Sequence, residues 1–178
     1  YLNYREMATL ALQRKLLEID GKEPDAALTA KQLTDRLFAI YDREQEQLFQ
    51  QLFESAQAHE RAGRVQQAVD EFGWILANQP DHSRRAEMAD VFRRHGERMA
   101  REGEERGDWD LAGRGLGWLR QSLALNPNSP DAAKVRARVH LLDGKQAVRR
   151  GGDGREDFAL ALREDPGLIE AQQALQAV

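Results

Sequence analysis

A proline that closes successive stretches of helical pattern is the feature that most constrains this chain. It recurs at Pro80, Pro127 and Pro166, each time one or two residues after an Asn or Asp, at intervals of 47 and 39 residues. Between these points apolar residues recur every three or four positions, and no alternating run rich in Val, Ile and Thr predicts a strand. A terminator at comparable intervals is typical of a repeat array, in which one helical hairpin cannot bury its own apolar face. We therefore expect an all-α chain of stacked hairpins.

Two further helices are predicted before the repeats, within residues 1–48. The first carries apolar residues at helical spacing and ends at Asp20-Gly21, where a glycine can take the left-handed conformation of a C-cap. Thr29 is a typical N-cap residue, so a second helix is expected to begin there and to continue to about Ala62. Because that length exceeds an average helix, the charged stretch 42–46 is interpreted either as a solvated helix face or as a break.

Composition excludes several classes of chemistry. With no cysteine among 178 residues, the chain has no disulfide, no thiolate zinc ligand and no cysteine nucleophile. Its four histidines lack the i, i+4 spacing of a zinc site, and no Ser-His-Asp order or nucleophile elbow is present. The glycine clusters at 113–117 and 151–154 match neither a dinucleotide fingerprint nor a P-loop. We therefore predict no enzyme activity, no catalytic residue, no metal and no cofactor.

The segment from Phe49 to Pro80 resembles a tetratricopeptide repeat (TPR), a family of helical hairpins that stack into solenoids. When the segment is aligned on Pro80, Gly63 falls in the turn between the two helices. Ala68 then falls where a small residue lets the helices approach closely, and Phe72 falls where a ring fills the adjacent space.

Two later units are more degenerate. In the second, the corner Gly107-Asp108-Trp109 resembles the usual turn, and alignment on this corner places Ala112 at the small-residue position. Alignment on Pro127 places Gly115 there instead, so we expect an insertion within 111–115. The resemblance implies an all-α, TPR-like right-handed solenoid with extra N-terminal helices and a C-terminal capping helix. Its predicted segments are 1–48 for the N-terminal helices, which pack on or lead into the solenoid, 49–82, 84–129 and 131–167 for the repeats, and 168–178 for the capping helix.

Resemblance to TPR proteins implies a protein-protein interaction scaffold without catalysis. The family binds partners in a groove lined by the first helix of each repeat. A loose transfer of those groove positions gives Phe53, Gln57, Arg94, Arg101 and Arg136 as partner-binding residues. Phe53 would act as an apolar anchor and the arginines as electrostatic contacts. The Asn and Lys pattern of the carboxylate clamp in chaperone-binding TPRs is missing, since Gln57, Arg101 and Asp143 occupy the same groove position of the three repeats. This disfavours a chaperone tail as partner.

The stretch 134–150 is unusually basic, since it holds six cationic residues and only Asp143 as an acid. This local excess within a chain of net charge −4 indicates either a candidate anion-binding surface or an ordinary solvated helix. The basic patch comprises, besides Arg136, the residues Lys134, Arg138, Lys145, Arg149 and Arg150. The alternative function is therefore a ligand-binding regulatory domain or an anion- or nucleic-acid-binding module.

The partner expected from these observations is another protein in a bacterial assembly. Arg outnumbers Lys 21 to 5, as in GC-rich bacterial genomes, and the net negative charge disfavours nucleic acid. Because the chain begins without Met, we expect it to be part of a longer protein. That protein is cytoplasmic, or tethered to the inner membrane by a segment before Tyr1, as in an exopolysaccharide secretion machine. Direct membrane insertion of this chain is not expected, and homo-oligomers are compatible with the pattern.

Overall fold

The computed structural model describes residues 4–178, with side chains from Glu6 onward. The regular secondary structure of this described part is entirely α-helical, which confirms the prediction of an all-α chain, whereas residues 1–3 of the predicted N-terminal segment lie outside it. The helices are α1 Tyr4–Asp20, α2 Ala30–Arg61, α3 Val65–Asn78, α4 Arg85–Arg106, α5 Trp109–Leu125, α6 Ala132–Arg149, α7 Arg155–Glu164 and α8 Ile169–Ala177.

Contacts divide the chain into two compact units, one reaching to Ser55 and the other spanning Ala56–Val178. In the first unit α1 ends at Asp20, as predicted, and Gly21 follows with φ of +66°, in the left-handed region. Arg36 of α2 forms an ion pair with Asp20 at this corner.

A reciprocal capping box begins α2, as the N-cap prediction for Thr29 requires. The Gln32 backbone N–H donates to Thr29 Oγ1 at 3.3 Å, while the Thr29 backbone N–H donates to Gln32 Oε1 at 2.9 Å. The helix then continues without interruption through residues 42–46, all of which are exposed. That charged stretch is therefore a solvated helix face and not a break.

In the second unit, each helix packs mainly against the next helix along the chain, from α3 to α8, and α6 also contacts α8. One buried cluster lies between α4, α5 and α6, with Ala100, Leu119 and Leu142 fully buried. Another joins α6, α7 and α8 around Leu141 and Phe158. The apolar face of each helix is thus covered mainly by the helices next to it along the chain.

The closest approach in this unit is between α4 and α5, whose backbones touch. A Cβ built on Gly115 would lie 2.5 Å from the Ala100 nitrogen, and one on Gly96 would lie 2.8 Å from the Gly115 carbonyl oxygen. Gly103 and Ala112 meet in the same way one turn further along the contact. Only residues without a bulky side chain fit here, because a helix interface is already packed to near-crystalline density.

No loop or break marks the insertion expected within 111–115, and that expectation stays a prediction. The helix α5 runs unbroken through these residues, and both Ala112 and Gly115 face α4. The extra length of this unit lies in its helices, since α4 has 22 residues and α5 has 17. Gly107, with φ of +68°, ends α4, and the Asp108 side chain caps α5 by accepting from the Leu111 N–H at 2.9 Å.

Two glycines of α5 give a matched test of this contact. We expect Gly115→Ala to lower the free energy of unfolding by about 2 kcal/mol, because its methyl group would force two backbones apart. Gly117→Ala should raise it by up to about 1 kcal/mol, since nothing lies within 4 Å of a Cβ there and alanine favours the helix. Urea unfolding followed by circular dichroism measures both values. Equal effects of the two substitutions would contradict the close approach.

Candidate functional site

An open groove of about 720 Å³ lies across α4, α6 and the beginning of α8. One wall is formed by side chains of α4 and the other by side chains of α6, at intervals of three, four or seven residues that keep them on one helix face. The lining residues are Glu97, Arg101, Glu104 and Glu105 from α4, Lys134, Arg138 and Lys145 from α6, and Asp165, Leu168 and Glu170 beside them. The structure therefore brings together four of the predicted site residues, Arg101, Lys134, Arg138 and Lys145.

Glu104 is the centre of an ion-pair network in this groove. Its side chain is only 17% exposed and is bonded by Arg138 and by Lys145, whose Nζ lies 2.6 Å from Oε1. Lys145 also donates to Glu170 at 2.8 Å, and this hydrogen bond, with the nearby positive charges, holds the pKa of the Glu170 carboxyl below its ordinary value. Two carboxylates, Glu104 and Glu170, and two cations, Arg138 and Lys145, thereby link α4, α6 and α8.

The groove is not a cationic surface, because its lining acids outnumber its lining bases. Arg138 and Lys145 of the predicted basic patch are neutralised by Glu104 and Glu170. Two cations of the groove, Arg101 and Lys134, have no carboxylate within 4.0 Å among the described residues. The charges that remain open to a ligand are therefore of both signs.

The other predicted partner-binding residues lie outside the groove. Phe53 is fully buried, so it belongs to the core and cannot serve as an exposed anchor in this structure. Arg94 forms ion pairs with Glu60 and Asp90, and Gln57 accepts a hydrogen bond from Arg61 at 3.3 Å.

Arg136 also lies apart from the groove. Its Nε donates to Glu164 at 2.7 Å, at the end of α7. With 3.6 residues per turn it falls on the side of α6 opposite Lys134 and Arg138. Arg136 therefore does not face this groove, and its role in partner binding stays a prediction.

The remaining members of the basic patch lie at the last turn of α6, beside the start of α5. The Arg149 guanidinium lies 5.7 Å from the centroid of the Trp109 ring, a cation–π distance. Arg150 and Arg114 line the same cavity, of about 660 Å³. The sequence analysis missed Arg114, since an isolated arginine in α5 gives no signal before α6 is placed against it.

One set of side chains has the composition of a cation site. Ligand atoms of His140, Asp143 and Asp157 lie within 4.8 Å of one another between α6 and α7. However, Arg120 already donates to both oxygens of Asp143, at 2.6 and 2.7 Å. Partial burial, followed by the charge of Asp143, raises the pKa of Asp157. We interpret the cluster as part of the helix packing, in which the Arg120–Asp143 ion pair joins α5 to α6 and Asp157 of α7 lies beside it.

His95 fills space in the helix packing, although an imidazole can act as an acid, a base or a metal ligand. Both ring nitrogens are buried without a hydrogen-bond partner in the described chain, and the ring lies against Trp118, 6.1 Å between centroids. Burial, together with the charge of Arg98, lowers the pKa of His95, so the imidazole is held neutral. Trp118 in turn stacks on Phe92 at 5.2 Å. These rings fill space between α4 and α5.

Comparison with known proteins adds no family. No protein-family model matches the chain, and no curated protein matches it at a significant level. Within the described residues, no helix combines the length and the apolar character that a membrane span requires.

The ion-pair network can be tested with two neighbouring glutamates. We expect Glu104→Ala to lower the free energy of unfolding by about 1–3 kcal/mol, because it leaves Arg138 and Lys145 without their half-buried partner. Glu105→Ala, at an exposed neighbouring position, should change it by no more than about 0.5 kcal/mol. Thermal and urea unfolding measure both. If the two variants were equally stable, Glu104 would not hold the helices together.

Proposed function

We propose that this chain is a TPR-like protein-protein interaction scaffold without catalysis, and that it binds a partner protein in the groove of α4, α6 and α8. The observation that carries the proposal is the groove itself, an open surface built from three helices and held in shape by Glu104. Arg101, Lys134 and Glu105 stand on its walls without an ion pair among the described residues and are available to a partner.

The packing of helices supports the TPR-like part of the proposal. From α3 onward each helix meets the next one, and α6 meets α8 across a helical hairpin, as in a stack of hairpins. Ala68 and Phe72, which carry the resemblance in the first repeat, are both buried. Buried small and aromatic residues at these positions are what close hairpin packing needs.

The mixed charge of the groove favours a protein partner over a simple anion. Charges of both signs on a partner's surface can be matched by Arg101, Lys134 and Glu105, which gives specificity and fast association more than raw affinity. An anion or nucleic acid would instead need an uncompensated positive surface. In this groove Glu104 and Glu170 neutralise much of the positive charge of Arg138 and Lys145. The membership of a bacterial assembly, and of an exopolysaccharide secretion machine in particular, stays a prediction.

The proposal is tested by site-specific photo-crosslinking in the native host. A photoreactive amino acid at Lys134 should give a discrete adduct with another protein, because this position lines the groove. The matched control is Gln121, which is exposed on α5 and does not line it. Arg101→Glu in the Lys134 background should reduce the adduct severalfold by reversing a groove charge.

Two results would contradict the groove as a binding surface. One is the absence of any adduct at Lys134 while the protein is present at its normal level. The other is the same adduct at Lys134 and Gln121, unaffected by Arg101→Glu, which would indicate random collision.

A further inference from the structure

Two neighbouring cavities of the second unit share Trp109 and Arg149. One, of about 660 Å³, is polar and lies between the start of α5 and the end of α6. The other, of about 510 Å³, is largely apolar and continues from Trp109 toward α7 and α8. Because they share two residues, a single extended ligand can occupy both.

The polar cavity concentrates positive charge that the protein itself does not neutralise. It is lined by Arg114, Arg149 and Arg150, and by Asp110 as its one carboxylate. Arg114 and Arg150 have no ion pair among the described residues. By contrast, three other arginines of the same two helices each bond a carboxylate, namely Arg120, Arg136 and Arg138.

Favourable interaction with a helix dipole explains only two of the three arginines in this cavity. Arg149 and Arg150 lie at the C-terminal end of α6, where positive charge is favoured by the helix dipole. Arg114 lies within the second turn of α5, so the dipole gives no reason for a third cation there. The side chain of Gln146 reaches 3.5 Å from where a Cβ on Gly113 would lie, so the two helices are close at this point.

The adjoining cavity offers an apolar surface at the same place. Its apolar lining comprises Trp109, Val148, Phe158, Ala174, Ala177 and Val178, with Val148 39% exposed. Its charged lining comprises Arg149 and the ion pair of Lys145 with Glu104. A cavity of this size, with apolar walls and a few charged groups at its edge, is typical of a site that takes one large apolar side chain.

We propose that this composite surface binds an acidic peptide segment of a partner protein. Its carboxylates pair with Arg114, Arg149 and Arg150, and an adjacent aromatic or aliphatic side chain enters the cavity beside Val148. Arginine is suited to this role because its planar guanidinium bonds a carboxylate through two N–H groups. The inference rests on the proposed function only in taking a protein as the partner. Its arginine cluster lies outside the groove, whereas the apolar cavity shares Glu104 and Lys145 with it.

A peptide fits these cavities better than a nucleic acid. The net charge of −4 repels a long polyanion, whereas a short acidic segment meets mainly the local cluster. Nucleic-acid sites also use exposed aromatic faces for base stacking. Here the Arg149 guanidinium already covers the Trp109 ring.

The test uses a fluorescently labelled peptide in which Asp and Glu residues flank a single Phe, with the whole chain and fluorescence anisotropy as readout. Two comparison peptides replace the Phe by Ala, or the acids by Asn and Gln. We expect the parent peptide to bind at moderate salt and both comparison peptides to bind at least about tenfold more weakly, since each lacks one of the two contacts.

Charge reversal locates the site. The double variant Arg114→Glu, Arg150→Glu should weaken the parent peptide by at least about tenfold. Its control, Arg98→Glu with Arg163→Glu, makes the same change in net charge at exposed positions that line neither cavity, and should change affinity by less than about twofold. Both pairs are exposed, and circular dichroism checks that each variant keeps its helices.

The inference is overturned if the parent peptide does not bind, if its affinity is independent of Phe, or if both double variants weaken it equally. It is also overturned if an oligonucleotide of equal charge binds as tightly and no longer binds the Arg114→Glu, Arg150→Glu variant.

Groove variants distinguish the two proposals. Arg101→Glu should leave the peptide affinity unchanged. If the peptide does not bind while the crosslinked adduct at Lys134 still forms, only this inference is contradicted. If the peptide binds but no adduct forms at Lys134, only the proposal that the groove binds a partner is contradicted.

Discussion

The contact of two helix backbones, α4 and α5, is the constraint on which the second unit depends. Gly96 and Gly115 bring main-chain atoms to distances at which a methyl group does not fit. Such a contact gains dispersion energy along both helices and excludes water from Ala100 and Leu119 without the entropy cost of ordering large side chains. It fixes the separation and the rotation of the pair together, because a small residue must meet backbone at each turn.

The candidate groove follows from the same helix. Each small residue of α4 that faces α5 is followed directly by a charged residue of the groove: Gly96 by Glu97, Ala100 by Arg101, and Gly103 by Glu104. Since successive residues of a helix point about 100° apart, the face that locks α4 against α5 also sets the direction of the groove side chains. Binding groups placed on a rigid helix lose little conformational entropy when a partner arrives.

The sequence predicted the helices well and the side-chain contacts poorly, for a physical reason. Apolar spacing and caps are local, so the end of α1 at Asp20 and the N-cap at Thr29 could be identified directly. Arg138 and Lys145 were placed in a basic patch because the acids that pair with them, Glu104 and Glu170, come from distant parts of the chain. Phe53 was placed on a binding surface by register alone, whereas burial is decided by packing. The charge of one segment predicts the charge of the protein surface only when the residues that pack against that segment are known.

Native-state hydrogen exchange of the second unit tests the central role of the α4–α5 contact most directly. Amides exchange through local opening unless they lie in the most stable part of the fold. We predict that the slowest amides lie on α4 around Gly96–Ala100 and on α5 around Ala112–Leu119, with the nine-residue α8 exchanging much faster. Slowest exchange in α6 and α7, with α4 and α5 opening first, would contradict the account.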